Sequence, residues 1–134
     1  MIDLAAIRAE LHTALRSING GELNIYSLPV AQPEYPCVMF KWPERLEYHT
    51  AFSNKVGAFL TRFDVMVMSA DLEAAITRLD EYANPHGNRS IRNTLETYAP
   101  HPAWSSLTVI AAANWRELTE IDGLACEMEV QVFA

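Results

Sequence analysis

His101, Ser105, Ser106 and Asp122 are the residue types a hydrolytic triad needs: a hydroxyl nucleophile, an imidazole base and a carboxylate to orient it. No Gly-x-Ser-x-Gly elbow frames either serine, and these ingredients recur by chance in most chains. His12, His49, His86 and His101 follow no His-x-x-x-His or His-Glu pattern, so a metal site would have to be assembled entirely by the fold. Glu117, Glu120 and Asp122 gather before Gly123, but the alternating oxygen ligands and twelfth-position Glu of an EF-hand are missing, and the cluster reads as a solvated hairpin tip. Glu127 and Glu129 share one strand face, where paired carboxylates could serve acid/base chemistry; solvent exposure accounts for them, because the opposite face is wholly apolar. There is no Gly-x-Gly-x-x-Gly and no Walker-type glycine loop. Cys37 and Cys126 are too few and too distant for a metal knuckle or redox pair, and each fits a buried strand face in a reducing compartment. The residues predict no catalytic, cofactor or metal site and no enzyme.

Composition narrows the classes further. The chain has 134 residues, half of them hydrophobic and a fifth charged, with three Trp, five Tyr and five Phe. That length and apolar content predict one globular domain over residues 1–134 that buries roughly two thirds of its unfolded surface. A formal net charge of −7 argues against a phosphate-gripping surface, which needs clustered Lys and Arg. It is compatible with a wall past which a polyanion slides. No basic-then-apolar leader and no apolar run of about 18 residues occurs, so neither a secretion signal nor a membrane partner is expected.

The elements that must position any site follow from periodicity. Leu4, Ile7, Leu11, Leu15 and Ile18 recur at helical spacing, predicting a helix over residues 3–18 with Asp3 as its cap and Asn19-Gly20-Gly21 as its stop. A short extended piece from Leu23 to Leu28 leads into Pro29, Pro33 and Pro36, whose fixed backbone makes an extended connector. Cys37 to Trp42 is strand-like, and Glu44 to Lys55, with no sustained period, reads as a projecting loop or irregular hairpin. Phe59 to Met68 alternates, with Phe63, Val65 and Val67 on one face. Ser69 or Asp71 can cap a helix lined by Leu72, Ala75, Ile76 and Leu79 and ending near Tyr82. After the Asn84-Pro85-His86-Gly87 turn, Ser90 caps a short helix from Ile91. Leu107 to Ala111 and Leu124 to Phe133, joined through Asp122-Gly123, predict a closing β-hairpin. The fold class is α+β: an antiparallel or mixed sheet with the N-terminal and central helices on one face.

Contact surfaces are the remaining candidates. Trp42, Tyr48 and Phe52 stand beside Arg45 in the irregular stretch, the mixture of rings and guanidinium typical of protein interfaces. Arg89 and Arg92 lie near a helix start, where the dipole disfavours cations, so each calls for a carboxylate. In a ring, each subunit meets its neighbour through two different surfaces, and an Arg-bearing turn against Glu127 and Glu129 would suit closure.

The order of elements resembles a known family. The helix ending in Asn19-Gly20-Gly21, the proline connector into Pro36-Cys37-Val38-Met39-Phe40, the strand Phe63-Asp64-Val65-Met66-Val67, and Leu79-Asp80-Glu81-Tyr82 leading to Gly87-Asn88-Arg89-Ser90-Ile91-Arg92 resemble the tail terminator proteins of long-tailed bacteriophages. The resemblance spans nearly the whole chain, and its most telling part is the Leu-Asp-x-Tyr helix end that passes through Gly to Ser-Ile-Arg. It implies a structural virion protein without catalytic residues or cofactor, assembled in the host cytoplasm and located at the head-proximal end of the tail. Such a subunit forms a homohexameric ring on the last ring of the tail tube protein, stops tube growth and offers head-completion or neck proteins a docking surface, with DNA passing along the axis. Another head-tail junction or minor tail protein, of head-closure or connector type, is the alternative.

Overall fold

The computed structural model describes residues 4–41, 45–47, 58–119 and 121–133, with 45–47 as backbone. It is an α+β arrangement of a mixed sheet and a layer of helices.

Helix α1 (Leu4–Arg16) buries Ile7, Leu11, Ala14 and Leu15, one stripe of a 3.6-residue period. A short 3-10 turn (Ile18–Gly20) stops it, and Gly21, at φ 88°, donates its amide to the Ile18 carbonyl at 3.0 Å. That left-handed conformation favours glycine because it has no Cβ. The predicted cap, Asp3, lies outside the described residues. Strand β1 (Asn24–Tyr26) runs parallel to β2 (Cys37–Phe40), so the proline connector between them is a crossover. β2 and β3 (Arg45–Glu47) follow one another along one edge of β4 (Ala58–Met68), both antiparallel to it. The antiparallel β3–β4 pairing gives the irregular stretch the character of a hairpin; the rest of that stretch lies outside the described residues.

Helix α2 (Leu72–Ala83) is capped by Asp71, whose carboxylate accepts from the Glu73 and Ala74 amides. Ser69 instead accepts the Asp71 amide through its hydroxyl. The buried stripe of α2 is Ala75, Leu79 and Tyr82, whereas Leu72 and Ile76 are exposed, which corrects the apolar side predicted for this helix. Leucine and isoleucine at these positions suit the helical period, but the helix is rotated so that the ring of Tyr82 takes the interior place. Helix α3 (Ile91–Thr97) begins at Ser90, which accepts the Asn93 amide. Strands β5 (Ser106–Glu117) and β6 (Gly123–Phe133) form the expected hairpin, with β5 longer than its apolar segment suggested. Gly123 sits where a Cβ would collide with the Val67 carbonyl, so glycine permits the β4–β6 approach.

The main path of the sheet is β1-β2-β4-β6-β5, with β3 on β4. One core unites α1, α2 and α3 with Val38, Phe40, Phe63, Val65, Cys126, Met128, Val130 and Val132. Alternation therefore puts the odd-numbered residues of β6, Glu127 and Glu129 among them, on the opposite face.

Candidate functional site

Two charged clusters occupy the places where a site could stand. The first joins the end of α1, the end of α2 and the turn before α3. Glu22 accepts from Arg89 Nε at 2.6 Å, from the Tyr82 hydroxyl at 2.9 Å and from Asn19 Nδ2 at 3.1 Å. Arg89 also donates to Glu81 at 2.7 Å, and Arg78 approaches Glu22 at 3.9 Å. Burial alone would raise the Glu22 carboxyl, but these hydrogen bonds outweigh it and hold its pKa below the ordinary value. The Tyr82 hydroxyl is pushed well up, first by burial and then by the Glu22 carboxylate it serves. The Arg89 guanidinium is held charged by Glu22 and Glu81.

This corner explains why the segment from Leu79 to Arg92 has the composition it has. Leu79, Tyr82, Ser90 and Ile91 are fully buried. Ser90 donates to the Asn84 carbonyl at 2.5 Å while accepting from Asn93, so one hydroxyl joins the two ends of the turn. Arg92 lies on α3 and meets Glu96 four residues on, at 3.3 Å. The carboxylates that Arg89 and Arg92 call for are thus found within the chain.

The second cluster is a ladder on the sheet face away from the helices. Asp64 stands opposite Glu127 and Arg62 opposite Glu129 in the β4–β6 register. Lys41 bonds Glu127 and lies 3.6 Å from Asp64. Arg62 reaches Glu129 at 3.3 Å and Glu127 at 3.8 Å, and Arg116 of β5 reaches Asp64 at 3.1 Å. The hydrogen bond from Lys41 is the chief reason the Glu127 carboxyl lies below its usual value. Glu127 and Glu129 were expected to owe their place to solvent, and both are half-buried among these cations. Sequence reasoning missed Glu22, Lys41, Arg62, Asp64 and Arg116. Strand alternation carries part of the signal, because Arg62 and Asp64 lie opposite the apolar face of β4, but only the register names their partners.

Of the loop candidates, Trp42, Tyr48 and Phe52 lie outside the described residues. Arg45 belongs to β3, where its backbone pairs with Leu60. Of the residues weighed for hydrolysis, His101 bonds the Trp104 carbonyl at 2.8 Å and stacks on its ring, and the Ser105 hydroxyl donates to the Phe133 carbonyl. Burial pushes the Cys37 and Cys126 thiols up to about 11 and about 12, so both remain protonated at neutral pH. Among the described residues no group of three or more His, Cys, Asp and Glu is placed to hold a metal ion.

Two hollows flank the sheet. One, of about 280 Å³, lies between α1 and the sheet and is lined by Arg8, Leu11, His12, Phe40, Phe59 and Thr61. Burial, with help from Arg16, holds the His12 pKa below its usual value, so the ring is neutral at pH 7. The other, of about 410 Å³, lies between the connector and the opposite face, against Met39 and Met66. The ionised groups of the two clusters are spent on one another, an arrangement suited to holding parts together.

No protein-family model and no curated protein matches this chain. A chain in the solved virion of a native gene transfer agent (GTA) particle does match in structure. The TM-score is 0.57 at 10% sequence identity, over 96% of this chain and 93% of that one. The two share a fold. At that identity the likeness reaches the path of the backbone and no individual side chain.

Proposed function

We propose that this chain is a structural protein of a phage-type virion that acts at the head-tail junction. Six copies form a ring that caps the tail tube, ends its polymerisation and presents a docking surface to head-completion proteins, while DNA passes along the axis. The observation that carries this reading is the shared fold, over nearly the full length of both chains, with a chain of a virion particle. The resemblance of the segment from Leu79 to Arg92 to tail terminators supplies the specific role.

The physical chemistry agrees with that role. A −7 subunit gives a strongly negative ring, along which DNA moves without being gripped. The proposed contacts with the tube or the head use Trp42, Arg45, Tyr48 and Phe52. Arg89, Arg92, Glu127 and Glu129, all already paired at home, would set the polar rim, where charged pairs steer and orient partners.

The test is electron microscopy of particles made after deletion of the encoding gene from its phage or prophage. Overlong tubes, or tails that do not join heads, are expected. Joined tails of normal length would refute the reading.

A further inference from the structure

The two edges of the sheet are finished differently. At the β1 edge, Asn24 Nδ2 donates to the Glu34 and Pro36 carbonyls at 3.2 Å each, and the Tyr26 hydroxyl accepts the Glu34 amide at 2.9 Å. The connector is thereby strapped beside its own strand. At the β5 edge, α3 covers only the first part, where Glu96 accepts the Val109 amide at 2.9 Å. From Ile110 to Ala113 the side of β5 away from β6 makes no hydrogen bond among the described residues. That stretch, Ile-Ala-Ala-Ala, carries no charge and no proline, two of the usual protections of an exposed edge, and its regular part is Ala111–Ala113, between β-bulges at Ile110 and before Arg116. Ile110 is 50% exposed and nearby Trp115 42%.

The connector offers the matching half. Leu28 to Gln32 is exposed throughout and its amides make no hydrogen bond among the described residues. Leu28 and Val30, 50% and 40% exposed, alternate with Pro29 and Ala31. In an extended strand the amides of residues 28 and 30 point to one edge and position 29 to the other. The N–H that Pro29 lacks therefore falls on the side away from a partner, where it discourages a further strand.

We propose that Leu28–Gln32 of one copy adds as a strand to the Ile110–Ala113 edge of the next copy, an inference that rests on the ring reading above. The two segments are different surfaces of one subunit: the first follows β1, the strand at one edge of the sheet, and the second belongs to β5 at the other. A contact between two different surfaces is heterologous, the type that closes rings. Subunits of charge −7 repel one another, and both segments are uncharged, so the contact joins them without opposing like charges.

The test uses the full chain with Val30→Cys combined either with Ala111→Cys or with Ala113→Cys. Cys37 and Cys126 are fully buried and do not compete. Mild oxidation should give a covalent ladder beyond dimer in at least one double variant, whereas each single variant stops at dimer or below. In parallel, Val30→Asp, an exposed change, should weaken self-assembly in sedimentation by at least about tenfold. A ring that persists in Val30→Asp with no ladder would overturn this contact and leave the ring reading standing. A wild-type chain that stays monomeric, with no ladder, overturns the contact as well; the ring reading then stands or falls by tube length in the deletion.

Discussion

The corner around Glu22 and the ladder around Glu127 are built from the same residue types and distribute them differently. At the corner, a single carboxylate receives a buried tyrosine, an arginine and an asparagine drawn from three segments. On the sheet, Lys41, Arg62 and Arg116 face Asp64, Glu127 and Glu129, and most members touch two others. A hub concentrates cost in one residue, because its loss leaves several donors without an acceptor. A ladder spreads cost, because a remaining carboxylate takes up the abandoned cation. The corner fastens the helices to the turn; the ladder leaves a neutral, half-covered face on the sheet.

The largest test of this contrast is Tyr82→Ala, which removes a fully buried ring together with its bond to Glu22. It should cost about 3–5 kcal/mol, read as a lower midpoint in urea unfolding. Next is Glu22→Gln, which keeps the volume and withdraws the charge; about 2 kcal/mol is expected, with Tyr82→Phe adding little on that background. Full additivity of the two would show that Glu22 and Tyr82 act separately, and the idea of a hub would fail. Glu129→Gln should cost about 0.5 kcal/mol or less, since Arg62 retains Glu127. A loss equal to that of Glu22→Gln would erase the distinction.

Acid should read out both clusters. The folded pKa values of Glu22 and Glu127 lie below the ordinary 4.5, so the unfolded chain binds more protons as pH falls. The stabilisation they contribute is fully present above about pH 4.5 and is lost as pH drops through the folded values. Urea midpoints should fall below about pH 5, beyond the decline that His12, whose folded pKa is also lowered, contributes as pH drops below its ordinary 6.5. Replacing either glutamate by glutamine should shallow the fall, and an unchanged profile in Glu22→Gln would show that the corner does not titrate with folding.

Much of the architecture was legible in the residues. Asp71 and Ser90 as caps, the glycine stop after α1 and the closing hairpin all depend on local backbone preferences. The apolar side of α2 was misassigned because Leu72 and Ile76 fit the helical period as well as Tyr82 does, and period alone does not say which neighbours fill the core. Arg89 and Arg92 were legible as cations in need of carboxylates. That those carboxylates are Glu22, Glu81 and Glu96 was legible only for Glu96, four residues along the same helix. The loop aromatics Trp42, Tyr48 and Phe52 keep their standing as a proposed contact.

The sequence by itself determined the helices, the long strands β4 and β6 with their apolar faces, and the caps at Asp71 and Ser90, because the 3.6- and 2-residue periods and the capping bonds act over a few neighbouring residues. Tertiary structure alone decided the cross-strand register, the meeting of Lys41 with Glu127 across 86 positions, and the difference between the strapped β1 edge and the open β5 edge. Those facts depend on which distant segments share a sheet, and the one-dimensional pattern leaves that pairing to the packing of a single core.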